Sequence, residues 1–145
     1  MNRPRKRARK TAVAANAPST APRRRSRQRD AVLEVLERSS GPLSPAEIHA
    51  RALRRAPTIG LSTVYRIVRG LAEEGAVSAV TLPGQPARYE PAAVADTHHH
   101  HFHCERCGRV FDIAGCPAGL ERLLPPAFTL ERHDIVLYGS CAECG

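Results

Sequence analysis

Two Cys-x-x-Cys pairs, Cys104/Cys107 and Cys141/Cys144, constrain this chain more than any other feature. Four thiols in two such pairs suit a tetrahedral structural Zn(II) site, and the offset of 37 positions between equivalent members requires the last strand to return beside the first. Gly108, directly after Cys107, allows a tight knuckle in which backbone amides turn toward sulfur. Zinc held by thiolate contributes folding free energy directly, which matters in 145 residues divided between small units. Cys116 is the fifth cysteine. An odd number disfavours a disulfide framework, and the leftover thiol reads as a small buried residue.

The run His98-His99-His100-His101-Phe102-His103 adjoins the first pair. On a strand, alternation sends His98 and His100 to one face and His99, His101 and His103 to the other, so one strand can serve two metal sites.

Charge divides the chain as sharply. Residues 1–29 carry eleven of the 22 Lys and Arg and no acid, whereas the other eleven face all 14 acids, so the net charge of +8 belongs to the N-terminal stretch. Residues 1–24, rich in Arg, Ala, Pro, Ser and Thr, are expected to form a disordered basic arm. Such an arm binds polyanions, although a solubilising tail and an Arg-rich transit peptide share its composition. The sequence contains no secretory h-region and no run of ~20 apolar residues. The reading is a soluble cytoplasmic protein with no membrane partner.

A helix is expected from Arg27, with Ala31, Val32, Val35 and Leu36 on one stripe, ending near Ser39-Ser40-Gly41-Pro42. Ser44 and Glu47 form a capping box for a second helix through Ile48, Ala52 and Leu53, with Pro45 in its first turn. A third helix, 62–74, buries Val64, Ile67, Val68 and Leu71. Its other side presents Thr63, Tyr65, Arg66 and Arg69, groups that can meet phosphates and thymine methyls in a major groove. Residues 77–82, with Val77 and Ala79 inward, the turn Pro83-Gly84-Gln85-Pro86 and the return to Glu90 read as a hairpin. Three helices and a wing make a winged helix-turn-helix over 25–90, with Arg88 directed at the DNA backbone. Residues 91–97 read as a hinge. The remainder, 98–145, reads as a small α+β unit with strands near 102–104, 109–113 and 129–138 and a short helix over 118–124.

The segment Leu61-Ser62-Thr63-Val64-Tyr65-Arg66, the Tyr89-Glu90 strand end, the His-rich run, both Cys pairs and Tyr138-Gly139 occur in an order that resembles the ferric uptake regulator superfamily, zinc-uptake-regulator-like members included. The resemblance covers roughly residues 25–145. It implies an α+β chain in which an N-terminal winged helix precedes a dimerisation domain with a structural zinc site. It implies a homodimeric, metal-responsive repressor of metal-uptake genes acting on a double-stranded DNA operator. By the same resemblance, Cys104, Cys107, Cys141 and Cys144 are the structural zinc ligands. Glu90, His99, His101 and Asp112 match a hinge-side sensing site for Zn(II) or Fe(II), and His98, His100, Glu121 and His133 match a second site. Tyr65 and Arg66 match recognition-helix residues, and Arg29 a backbone contact.

The chain departs from the family pattern in three places. Pro42 stands where many relatives supply a sensing-site histidine, leaving Asp96 or His49 to fill it; His100 stands where Asp is frequent; and His103 is additional. Imidazole and carboxylate donors accept Zn(II), Fe(II) or Mn(II), and raw affinity together with the exchange at His100 leans toward zinc.

Enzyme activity is not expected. The His-Glu-x-x-His and zinc-deaminase motifs are absent, and a site closed by four cysteines leaves no position for water or a small-molecule substrate. The competing class, a zinc-binding adaptor or metal buffer without DNA, has no use for the Tyr65, Arg66 and Arg69 face.

Overall fold

The computed structural model describes residues 21–145, with side-chain environments from Arg27 onward; the expected basic arm lies, over 1–20, outside the described residues. Helix α1 (Ala21–Glu37) starts ahead of the expected Arg27, so 21–24 are helix rather than arm. Pro22 falls in its first turn, where a missing N–H removes no intrahelical bond. Helix α2 (Pro45–Ala52) opens on the expected capping box: Glu47 N donates to Ser44 Oγ at 3.3 Å and Ser44 N donates to Glu47 Oε2 at 2.9 Å. Helix α3 (Leu61–Glu73) buries Val64, Val68 and Leu71, with Ile67 half-buried beside them. These join Val32, Leu36 and Ile48 in one apolar core, each large side chain contributing ~1.5–3 kcal/mol by leaving water.

Strands β1 (Val77–Val80) and β2 (Arg88–Pro91) pair antiparallel as the wing, Ser78 opposite Glu90 and Val80 opposite Arg88. Val77 is buried as expected, but Ala79 is exposed, because the hairpin runs past the helical core, whose last member along β1 is Val77. The hinge contains one helical turn, α4 (Ala92–Ala95).

The second sheet has the order β4-β3-β5. Central β3 (His100–Cys104) runs antiparallel to β4 (Val110–Ile113) and parallel to β5 (Val136–Gly139). Parallel pairing sets Gly139 beside Cys104, which brings the two cysteine pairs to one end. Strand β5 is shorter than the expected 129–138 because its pairing with β3 starts at His101, leaving earlier residues no strand to join. The expected helix over 118–124 is a single 3-10 turn, Leu120–Leu123.

The loop before α2 docks the halves together. Asp112 N donates to Ser40 O at 2.9 Å, and a Cβ on Gly41 would stand only 2.5 Å from Val110 O. No described helix is long and apolar enough to cross a membrane.

Candidate metal centres and nucleic-acid face

Three groups of donor atoms converge among the described residues, each within 4.8 Å. The first is Cys104, Cys107, Cys141 and Cys144. Gly108, at φ +71°, turns the knuckle so that its N–H meets Cys104 O at 2.8 Å, while Cys141 N donates to Cys104 Sγ at 3.3 Å. Amide donors, Cys107 first and Cys141 next, draw the Cys104 thiol down to about 6. Arg109 reaches Cys107 Sγ at 3.4 Å and Cys141 Sγ at 3.5 Å, and lowers Cys107. It also holds the Glu143 carboxyl below the usual carboxylate range. Cys144 is pushed up to about 12 by its thiol contacts with Cys141 and Cys107, as expected where sulfurs share protons. Such a set gives up its protons to a tetrahedral Zn(II) and fits it.

The second group is Glu90 from β2, His99 and His101 from the β3 segment and Asp112 from β4. Glu90 Oε2 lies 3.5 Å from His99 Nε2 and 3.7 Å from His101 Nε2, and Asp112 Oδ1 lies 3.7 Å from His101 Nε2. These separations exceed hydrogen-bond range yet approach the ~3.4 Å edge of a tetrahedron with ~2.1 Å metal–ligand bonds. The same four atoms are buried without a hydrogen-bond partner. Unpaired buried donors and acceptors cost free energy, so their convergence fits a cation-binding role. His99 Nδ1 sits 2.8 Å from Thr97 O, an arrangement that fixes the tautomer presenting Nε2 to the cluster. Burial draws His99 down, but the Thr97 carbonyl and the Glu90 and Asp112 carboxylates outweigh it and raise the group. Asp112 is raised by burial and then by neighbouring Glu90.

Neither candidate for the role vacated at Pro42 joins this cluster. His49 Nε2 lies 3.0 Å from Ile59 O within the helical half, and Asp96 is exposed at the end of α4. Four ligands from β2, β3 and β4 already suffice for tetrahedral coordination.

The third group differs from the expected set. His98, His100 and His133 converge, but the fourth member is Cys116, while Glu121 is exposed on the 3-10 turn. Cys116 is itself exposed rather than buried, with Sγ 2.9 Å from His133 Nε2. Burial, then His98 and His133, lower His100 below the ordinary histidine value. His103, the additional histidine, points to none of the three groups and packs its ring edge-on to Tyr138.

On the outward side of α3, Tyr65, Arg66 and Arg69 are exposed and Thr63 is half-buried. Arg69 pairs with Glu73 one turn on, and Arg29 with Glu74, so both cations are held along the helical surface. Arg88 does not belong to this face. It is 4% exposed, and its guanidinium donates to Glu47 Oε2 at 2.6 Å, Pro42 O at 3.3 Å and Gly108 O at 2.6 Å. The expected backbone contact from Arg88 is therefore corrected: alternation along β2 turns it inward, to an acid and two carbonyls that outcompete solvent. Sequence reasoning also missed Cys116 and Arg109. For Cys116 the one available signal was an unpaired thiol in a chain otherwise rich in metal donors.

The chain matches the Ferric uptake regulator family model over residues 21–138. It is 32% identical over 122 residues to the Ferric uptake regulation protein of Helicobacter pylori, covering 82% of this chain and 80% of that one. The solved structure of the Helicobacter pylori ferric uptake regulator, described as having three functional metal binding sites, superposes with a TM-score of 0.58 at 32% identity, over 81% of this chain and 79% of that chain. Identity to the Zinc uptake regulation protein of Mycobacterium tuberculosis is 30% over 124 residues, 83% of this chain and 94% of the relative. Matched by the family model over most of its length and by a relative of 32% identity, the chain, with its winged helix and three groups of metal donors, belongs to the ferric uptake regulator family of metal-responsive transcriptional regulators.

Proposed function

We propose that this chain is a homodimeric, metal-activated repressor of metal-uptake genes, working on DNA in the cytoplasm and switched at Glu90, His99, His101 and Asp112. The observation that carries the reading is the convergence of four unpartnered buried ligand atoms from both halves of the chain. Glu90 is anchored in the wing, whereas His99, His101 and Asp112 belong to the second half. They can share one cation only while the halves keep their observed spacing, and that cation supplies the positive charge that links them. A coupling of ~1–3 kcal/mol between this geometry and the DNA-binding geometry suffices for a tenfold change in affinity.

The exposed Tyr65, Arg66 and Arg69 of α3, with half-buried Thr63, supply base and phosphate contacts in the major groove, and Arg29 supplies a flanking one. Cys104, Cys107, Cys141 and Cys144 hold a structural zinc. Exposed Leu137, Tyr138 and Phe128 in the second half are available to a second copy of the chain, in keeping with the dimeric habit of the family. An all-nitrogen-and-oxygen sensing set favours Zn(II) over Fe(II) on raw affinity.

The test is DNA binding by fluorescence anisotropy under anoxia, titrated separately with Zn(II) and Fe(II). The paired substitution His99→Ala and His101→Ala is expected to abolish the metal response while leaving a dimer. A variant that still responds fully sinks the assignment; activation by Fe(II) alone at matched free concentrations sinks the zinc preference and keeps the rest.

A further inference from the structure

We infer that Cys116, rather than Glu121, supplies the fourth donor of the His98, His100 and His133 cluster, making a site of three imidazoles and one thiolate for a thiophilic divalent cation such as Zn(II). Four observations converge on it. The loop leaving β4 reverses at Gly115, whose φ of +93° a side chain would resist, and this delivers Cys116 to the sheet face that carries His98 and His100. Cys116 Sγ stands 2.9 Å from His133 Nε2, and one donor atom from each of the four residues lies within 4.8 Å of the others. The three imidazoles crowd one another, with ring centroids 4.8 Å apart for His98–His100, 4.8 Å for His98–His133 and 5.1 Å for His100–His133. His100 is only 4% exposed and neither of its ring nitrogens has a hydrogen-bond partner. A buried imidazole unsatisfied at both nitrogens, aimed into a cluster of like groups, needs an electrophile there.

Glu121 offers no equivalent. It is exposed on the 3-10 turn, and its carboxylate is not among the donor atoms that converge with His98, His100 and His133. The exchange of carboxylate for thiolate changes what the site selects. Sulfur shifts preference toward Zn(II) and away from Fe(II) and Mn(II), whereas the Glu90, His99, His101 and Asp112 cluster contains only nitrogen and oxygen donors. The chain therefore has two non-structural metal sites of different softness on opposite faces of one strand. This assignment does not depend on how DNA is bound or on which metal fills the hinge cluster.

Cobalt separates the two labile sites, since only a thiolate ligand gives a sulfur-to-Co(II) charge-transfer band in the near ultraviolet. Full-length protein that keeps one zinc in the four-cysteine cluster, with its labile sites stripped, is titrated with Co(II). The expected result is a charge-transfer band in the wild type and in Glu121→Ala, lost in Cys116→Ser while the visible d–d bands persist. No band in the wild type, a band that survives Cys116→Ser, or one abolished by Glu121→Ala overturns the inference. A measurement on the unsubstituted chain guards against misfolding of the variants: added Zn(II) is expected to slow alkylation of Cys116 by iodoacetamide at least tenfold, read by peptide mass spectrometry. An unchanged rate also overturns it.

Discussion

The two halves of the molecule are held together by different physics. Residues 31–77 share one apolar core that includes Val32, Leu36, Ile48, Val64, Val68 and Leu71, all 2% exposed or less. From His98 onward the buried apolar side chains among the described residues are only Cys104, Val110 and Cys141, with His100 and His103 beside them. Meanwhile Leu123, Phe128, Leu137 and Tyr138 are exposed. The first half can stand on hydrophobic burial. The second half has a sparser core, and under the proposed function zinc at the four cysteines and a second copy of the chain supply what burial does not. In the proposed function the same division separates the DNA-reading half from the half that carries most of the metal donors.

The comparison breaks first at the cysteines. Cys104→Ser is expected to remove zinc and with it a contribution on the order of 10 kcal/mol, the scale of structural zinc binding. Hydrogen exchange by mass spectrometry should then show loss of protection across β3, β4 and β5 with α1 to α3 still protected. Global unfolding instead would mean that the halves form one cooperative unit. The converse substitution lies in the first half. Ile48→Ala, at a site that is 0% exposed, is expected to cost about 2–5 kcal/mol in denaturant melts of the helical signal while zinc content stays at one per chain. Zinc release in that variant would erase the distinction.

The smallest effect sharpens the boundary between the halves. Gly41→Ala sets a methyl group 2.5 Å from Val110 O and 2.8 Å from Phe111 Cα, both backbone atoms, so the loop must lift off β4. The expected cost is about 1–3 kcal/mol. Because Asp112 N is bonded to Ser40 O in the same contact, metal affinity at the hinge cluster should fall about tenfold in a chelator competition. Unaltered affinity would show that the loop and the cluster are independent.

Much of this was legible in the sequence where the chemistry is local. The Ser44–Glu47 box, the α3 stripe at Val64, Val68 and Leu71 and the hairpin of the wing depend on residues near one another along the chain and match the sequence, whereas Ala79, expected inward on the wing, is exposed. Strand alternation sorted His98 and His100 from His99 and His101 onto two clusters for the same reason. What failed was what depends on long-range docking. Arg88 looked like a surface cation because nothing nearby in sequence announces that Pro42 O and Gly108 O would surround it. Nothing near Cys116 in the sequence signals its exposure, because its position depends on the turn at Gly115 and on a contact with His133, 17 residues away. The expected 129–138 strand exceeds the observed β5 because pattern alone does not reveal where the neighbouring strand begins.

Arg88 also limits how this protein can be cut and rejoined. Its guanidinium spans from the Glu47 carboxylate that caps α2 to the carbonyl of Gly108, one residue past Cys107 of the four-cysteine cluster. A chimera that takes its DNA-reading half from this chain and its sensing half from a relative would carry the arginine across the junction without a guaranteed acceptor. Swapping operator specificity by exchanging whole halves should therefore misalign the head; grafting only the exposed residues of α3 leaves that seam intact.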